Sequence, residues 1–160
     1  MEQQFDIRKV RVHRTKEGTI FEIVFLILLL TVWSIIIWLM HKAPEIVPTH
    51  FGITGEANQY GSPLAAIFPC LITTVVGICM MAGAYFPRSI NVPGGISNLH
   101  QVVLATRMMR ILGLLILLLT LSIALSMLAL NHGRVIPALS VVAVMIITCA
   151  VFTYLIHRAK

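Results

Sequence analysis

The chain has 160 residues, 58% of them hydrophobic and 11% charged, with a mean hydropathy of +0.93. A soluble domain carries roughly 25% charged residues, so too few polar side chains remain to cover a water-facing surface, and lipid is the implied solvent. The net charge of +6 is unevenly placed, because all six acids (Glu2, Asp6, Glu17, Glu22, Glu45 and Glu56) precede residue 57. Lys and Arg held at an anionic membrane surface account for that balance better than nucleic-acid binding does. The three cysteines, Cys70, Cys79 and Cys149, all lie in apolar runs. They read as small buried hydrophobes, with no disulfide framework and no zinc site.

The chain opens on a basic segment, residues 1–19, whose Arg8–Lys16 stretch is expected to lie against lipid, with a role in holding a soluble regulator as the alternative. Four uncharged apolar runs follow, Ile23–Met40, Leu64–Phe86, Ile111–Leu130 and Val135–Ile156, of 18 to 23 residues each. About 20 residues of helix cross a hydrocarbon core of about 30 Å, and open sheet edges do not survive in lipid. The predicted fold is therefore all-α, a polytopic four-helix membrane bundle forming one domain over 20–160. Its spans are expected at about 20–41, 64–86, 108–130 and 135–157, with an outer loop 42–63 and a cytoplasmic loop 87–107. The first run is not a cleaved signal peptide, since it follows a charged segment and ends without a small-residue cleavage pattern.

Local signals refine these boundaries. Thr19-Ile-Phe-Glu22 fits a capping box at the first helix start, and Ser62-Pro63 offers an N-cap with a first-turn proline for the second. Pro69 is expected to bend that second helix. Thr73-x-x-x-Gly77 and Ser122-x-x-x-Ser126 supply the small-residue spacing that lets helices approach in lipid. Asn131-His-Gly-Arg134 reads as a tight turn between antiparallel third and fourth spans. In the loop before the third span, Pro93-Gly94-Gly95 breaks the chain and Ser97 or Asn98 can cap a new helix. Leu99, Val102, Val103, Thr106 and Met109 then recur at helical spacing, with Arg107 and Arg110 expected at the headgroups as anchors or as a partner site.

With the N-terminus inside, ten Lys and Arg (Arg8, Lys9, Arg11, Arg14, Lys16, Arg88, Arg107, Arg110, Arg158 and Lys160) share one side and only Lys42 and Arg134 the other. This bias predicts both ends in the cytoplasm of a multi-pass protein.

The runs contain no Asp, Glu, Lys, Arg or His. Ion-coupled carriers usually place such a group in the membrane, and neither a metal-binding helix motif nor a nucleophile turn is present. Most of the intramembrane hydroxyls, such as Thr31, Ser34, Thr73, Thr74, Thr120, Ser122, Ser126 and Thr148, are expected to bond to their own helix carbonyls. Attention falls on the outer loop, Pro44-Glu-Ile-Val-Pro-Thr-His-Phe-Gly-Ile-Thr-Gly-Glu-Ala-Asn-Gln-Tyr-Gly-Ser62. Pro48 favours an extended stretch over Ile46–Phe51, Gly52 and Gly55 permit a sharp turn, and Phe51 and Tyr60 suit the membrane interface or the helix ends. Glu56 is expected either to accept bonds from the turn or to recognise a cationic group.

The loop pattern, carried by Pro44, Pro48, His50, Phe51, Gly55, Glu56, Tyr60, Gly61 and Ser62, resembles the signature loop of the bacterial SdpI-like immunity-protein family. More narrowly, it is similar to the small membrane-protein domain of unknown function at that family's N-terminal end. Asn91-x-Pro93 and Ala105-Thr-Arg-Met-Met-Arg110 resemble features of its shorter members. The family commonly has an acid at the position of Asn58 and a lysine at that of Pro63. The resemblance implies a bacterial inner-membrane protein of immunity or accessory type, recognising a toxin, a peptide or another membrane subunit. Its ligand-contacting residues would be His50, Phe51, Gly55, Glu56, Asn58 and Tyr60.

An oligomeric small-solute or ion permease is the alternative from a second class, and a membrane enzyme using His50 and Glu56 as acid and base is a third. No catalytic residue, cofactor or metal is expected. His41, His50 and His132 share the outer side with Glu45 and Glu56, and such groups can bind zinc. Their spacing matches no metal motif, so interfacial or hydrogen-bonding histidines are the favoured reading.

Overall fold

The computed structural model describes residues 5–52, 54–129 and 136–159. Four helices are long and apolar enough to span a membrane: α1 (Lys16–Lys42), α2 (Ile67–Gly83, entered through a 3-10 turn at Pro63–Ala66), α3 (Leu99–Leu128) and α4 (Ile136–Arg158). The expected all-α membrane bundle is present, with a two-stranded sheet added between α1 and α2, β1 (Val47–Phe51) and β2 (Ala57–Gly61). The predicted turn Asn131–Arg134, with His132, lies outside the described residues.

Helix α3 is the central element. Over half of its most apolar window is buried (56%), against 6% for α4, and it packs against each of the other three helices. Side chains such as Trp38, Phe68 and Tyr154 stand exposed on the outer surface of the bundle, as lipid-facing residues do. Near the hairpin end, Val32, Ile36 and Leu39 of α1 cluster with Cys70 of α2 and with Ala124, Met127 and Leu128 of α3. At the far end, the Asn98 amide donates to the Ala159 carbonyl (2.7 Å) and the Gln101 amide to the Ile156 carbonyl (2.8 Å). Helices α3 and α4 are therefore antiparallel, and the end of α4 lies with the starts of α1 and α3 at the end of the bundle opposite the hairpin.

Close approach of α2 and α3 depends on two glycines. A Cβ on Gly113 would sit 3.2 Å from the Gly77 carbonyl oxygen, and one on Gly77 would sit 3.4 Å from that of Gly113. The same seam carries a Thr120 to Thr73 hydroxyl bond (2.8 Å), and Trp33 Nε1 donates to Thr74 across α1 and α2 (3.2 Å). The eight intramembrane hydroxyls named above all bond to carbonyls of their own helix. Thr73-x-x-x-Gly77 thus lies on a helix seam. Ser122 and Ser126 are buried. Cys70 is buried, whereas Cys79 and Cys149 are exposed on the bundle surface rather than packed inside.

Several local expectations shift. Helix α1 starts at Lys16, with Thr15 as its cap accepting from the Gly18 amide (3.0 Å), so Thr19 and Glu22 form no capping box. Glu22 instead pairs with Arg14 (2.8 Å) and accepts from the Tyr85 hydroxyl. Ser62 does cap, accepting from the Leu64 amide at 3.3 Å. Pro69 falls in the first turn of α2, where the missing amide removes no helix bond, and the irregularity lies at the 3-10 to α junction. Asn98 caps α3 by accepting from the Gln101 amide (2.9 Å), while Gln101 Oε1 accepts from Ser97.

The amphipathic helix expected at Leu99–Met109 is the first part of one continuous α3. Its buried face is Gln101, Val102, Ala105, Thr106 and Met108, which includes the expected Val102 and Thr106, while Leu99 and Val103 are exposed. At about 1.5 Å per residue, α1 and α3 are about 40 and 45 Å long, longer than a hydrocarbon core of about 30 Å. Their charged ends project beyond it. There Glu17 takes a two-pronged bond from Arg107, at 2.6 and 2.8 Å. Arg110 lies at the same end but is buried between the helices, being only 4% exposed. Gly18 allows this burial, because its lack of a side chain lets the Arg110 guanidinium lie directly against α1. The Tyr85 ring lies 5.6 Å from the guanidinium carbon, within cation–π range.

Candidate functional site

The connection between α1 and α2 is an ordered hairpin held on the bundle by its first residue. Val47 is 1% exposed and belongs to the cluster formed by α1, α2 and α3, with Phe51 packed at its edge. β1 pairs antiparallel with β2 through Val47 with Gly61, Pro48 with Tyr60, His50 with Gln59, and Phe51 with Ala57. This register skips Thr49 on β1 and Asn58 on β2, so each strand carries one extra residue. Pro48 has no amide to give to the ladder, which favours an irregularity beside it. Gly61 makes room for the first bulge, since a Cβ there would come 3.2 Å from the Thr49 methyl.

The turn closes with the Gly52 amide donating to the Glu56 carbonyl (2.8 Å) and the Gly55 amide to the Gly52 carbonyl (2.9 Å). Gly55 has φ +80°, a conformation that favours glycine. It is the Glu56 backbone carbonyl that receives the turn bond, and the residue itself is exposed.

Bulges re-aim side chains and occur often beside functional sites. Here the two bulges bring His50 and Asn58 together, with His50 Nδ1 donating to Asn58 Oδ1 at 2.6 Å. In a neutral imidazole this bond fixes the tautomer and leaves Nε2 as an acceptor. A cleft of about 260 Å³ lies below, where Thr49, His50 and Phe51 face Pro69 of α2 and Ile123, Ser126 and Met127 of α3. Its polar groups are few and its walls largely apolar, as is usual for a binding cleft.

Of the six residues singled out from the sequence, the structure brings together His50, Phe51 and Asn58. Gly55 shapes the turn, Glu56 is exposed beside it, and Tyr60 is 63% exposed on β2. The sequence reading missed Thr49, whose signal is its position between Pro48 and His50, and the α3 residues that floor the cleft. His41 lies in the last turn of α1 and is exposed. Among the described residues no group of three or more His, Cys, Asp or Glu side chains is placed to hold a metal ion.

The fold and this site define a multi-pass membrane protein with a structured hairpin between its first two spans. The family model for a domain of unknown function, DUF1648, matches residues 26–74, which run from α1 through the whole hairpin into the first half of α2. No curated protein and no solved structure matches the chain.

Proposed function

We propose that the chain is a small immunity- or accessory-type membrane protein, whose hairpin recognises a peptide toxin or another membrane protein on the outer face of a bacterial inner membrane. The observation that carries this reading is the pair of bulges at Thr49 and Asn58, which sets His50 at the mouth of a mostly apolar cleft. The resemblance of the loop to the SdpI-like immunity proteins supports it, as does the match of DUF1648 across the same segment. Recognition is favoured over permeation because eight intramembrane hydroxyls are engaged with their own helix carbonyls. It is favoured over catalysis because His50 Nδ1 is bonded to a neutral amide, not to a carboxylate that would stabilise an imidazolium during proton transfer.

The test uses His50→Ala and Glu56→Gln in the full chain. Both variants should insert at normal levels, since Val47 and the helices supply the packing, yet lose capture of the partner or protection against a membrane-active peptide. Full protection and capture by both variants would remove the hairpin as the recognition surface. Solute flux through liposomes carrying the purified protein would favour a permease instead.

A further inference from the structure

At the end of the bundle opposite the hairpin, a pocket of about 450 Å³ lies between the N-terminal segment and the start of α3. One part of its wall is apolar, formed by Val10, Val12, Leu99 and Val103. The other part is cationic, with three arginines (Arg11, Arg107 and Arg110) against one carboxylate, Glu17. Arg110 is only 4% exposed, and its Nε and Nη2 have no hydrogen-bond partner among the described residues. A buried guanidinium with two unpartnered nitrogens is costly and calls for an anion or ordered polar group. The nearby carboxylates are otherwise engaged: Glu17 is gripped at both oxygens by Arg107, and Glu22 is shared by Arg14 and Tyr85. The Tyr85 hydroxyl lies beyond the end of α2, and its pKa is raised, first by its bond to Glu22 and then by burial. It stays protonated and adds no competing negative charge.

We infer that this pocket binds the phosphate of an anionic phospholipid, with Arg110 and Arg11 holding the phosphate and the valine and leucine wall receiving the upper part of an acyl chain. Its location fits that occupant. Arg110 immediately precedes the apolar stretch of α3, so the pocket lies at headgroup depth, and basic pockets between helix ends are a recognised form of lipid site. Arginine suits a phosphate because its planar fork can engage two oxygens at once. The two-tone wall distinguishes this site from a diffuse basic surface, which would attract lipid charge without a place for its chain.

The experiment uses the full chain, purified in a neutral detergent and given phosphatidylglycerol, phosphatidylcholine or inorganic phosphate. Bound lipid is counted by native mass spectrometry and thermal melting is followed in parallel. Phosphatidylglycerol should bind about tenfold more tightly than phosphatidylcholine, because both offer a phosphate but the choline ammonium meets the three arginines as a like charge. Arg110→Gln, which removes the charge and the fork, should erase most of that preference. Val103→Trp should erase it by filling the pocket while leaving lipid-free melting unchanged. Equal binding of the two lipids, or a preference that survives both substitutions, would overturn the assignment. Inorganic phosphate stabilising the protein as strongly as the lipid would also overturn it, and would reassign the pocket to a soluble phosphate.

Discussion

At the residue scale, glycines act here in two physically different ways, and substitution separates them. Gly113 is required for space, because a side chain there meets the α2 backbone at Gly77 and a backbone carbonyl cannot swing away. Gly55 is required for conformation, since its φ is +80° while the space around it is open. Gly113→Leu should therefore cost about 1–3 kcal/mol through forced separation of α2 and α3. Gly55→Ala should cost about 1–2 kcal/mol, felt in the hairpin alone. Reversible unfolding in detergent measures the first, and hydrogen exchange at the Gly52 and Gly55 amides localises the second. Equal loss of global stability in both variants would contradict the distinction. Gly77 was legible as part of a small-residue spacing, but its partner Gly113 was not, because nothing along one helix says which residue of another will face it. Arg110 was hidden for the same reason: its burial depends on Gly18 and Tyr85, far away along the chain.

At the element scale, the helix starts show how far local chemistry decides structure. Ser62 and Asn98 cap their elements as the residue types suggest, whereas Thr19 does not, because Thr15 offers the same oxygen one turn earlier. The start of α3 carries an additional load, since the Asn98 side chain also donates to the Ala159 carbonyl and so ties α3 to the end of α4. Asn98→Ala should lose about 1 kcal/mol from the cap and further stability from the broken tie. Asn98→Asp should keep the cap but not the tie, because a carboxylate cannot donate. Thermal melting of the purified protein checks the order, with the aspartate variant falling between the native chain and alanine. The hairpin was half legible: Pro48 and the two glycines signalled an extended stretch and a turn. β2 was not, since its Ala-Asn-Gln-Tyr-Gly sequence has little intrinsic preference for a strand and owes its shape to pairing with β1.

At the scale of the whole molecule, composition decided the most. Four apolar runs and the scarcity of charge lead directly to a multi-pass helical bundle, because lipid leaves the backbone few other ways to satisfy its hydrogen bonds. The packing order is not legible in the same way, since every run is apolar all round and only the folded chain reveals α3 as the centre. The molecule then presents two chemically different ends, a polar hairpin over a small cleft and a cluster of arginines around a larger pocket. The proposed functions of both ends require that they lie on opposite sides of the membrane, with the arginine end inside. A direct test places single cysteines at exposed positions of the two ends, Glu56→Cys and Arg88→Cys, in a chain whose Cys70, Cys79 and Cys149 are replaced by alanine. A membrane-impermeant maleimide applied to intact cells should label the Glu56→Cys chain at once and the Arg88→Cys chain only after permeabilisation. Labelling of both from the same side, or the reverse pattern, would contradict the account.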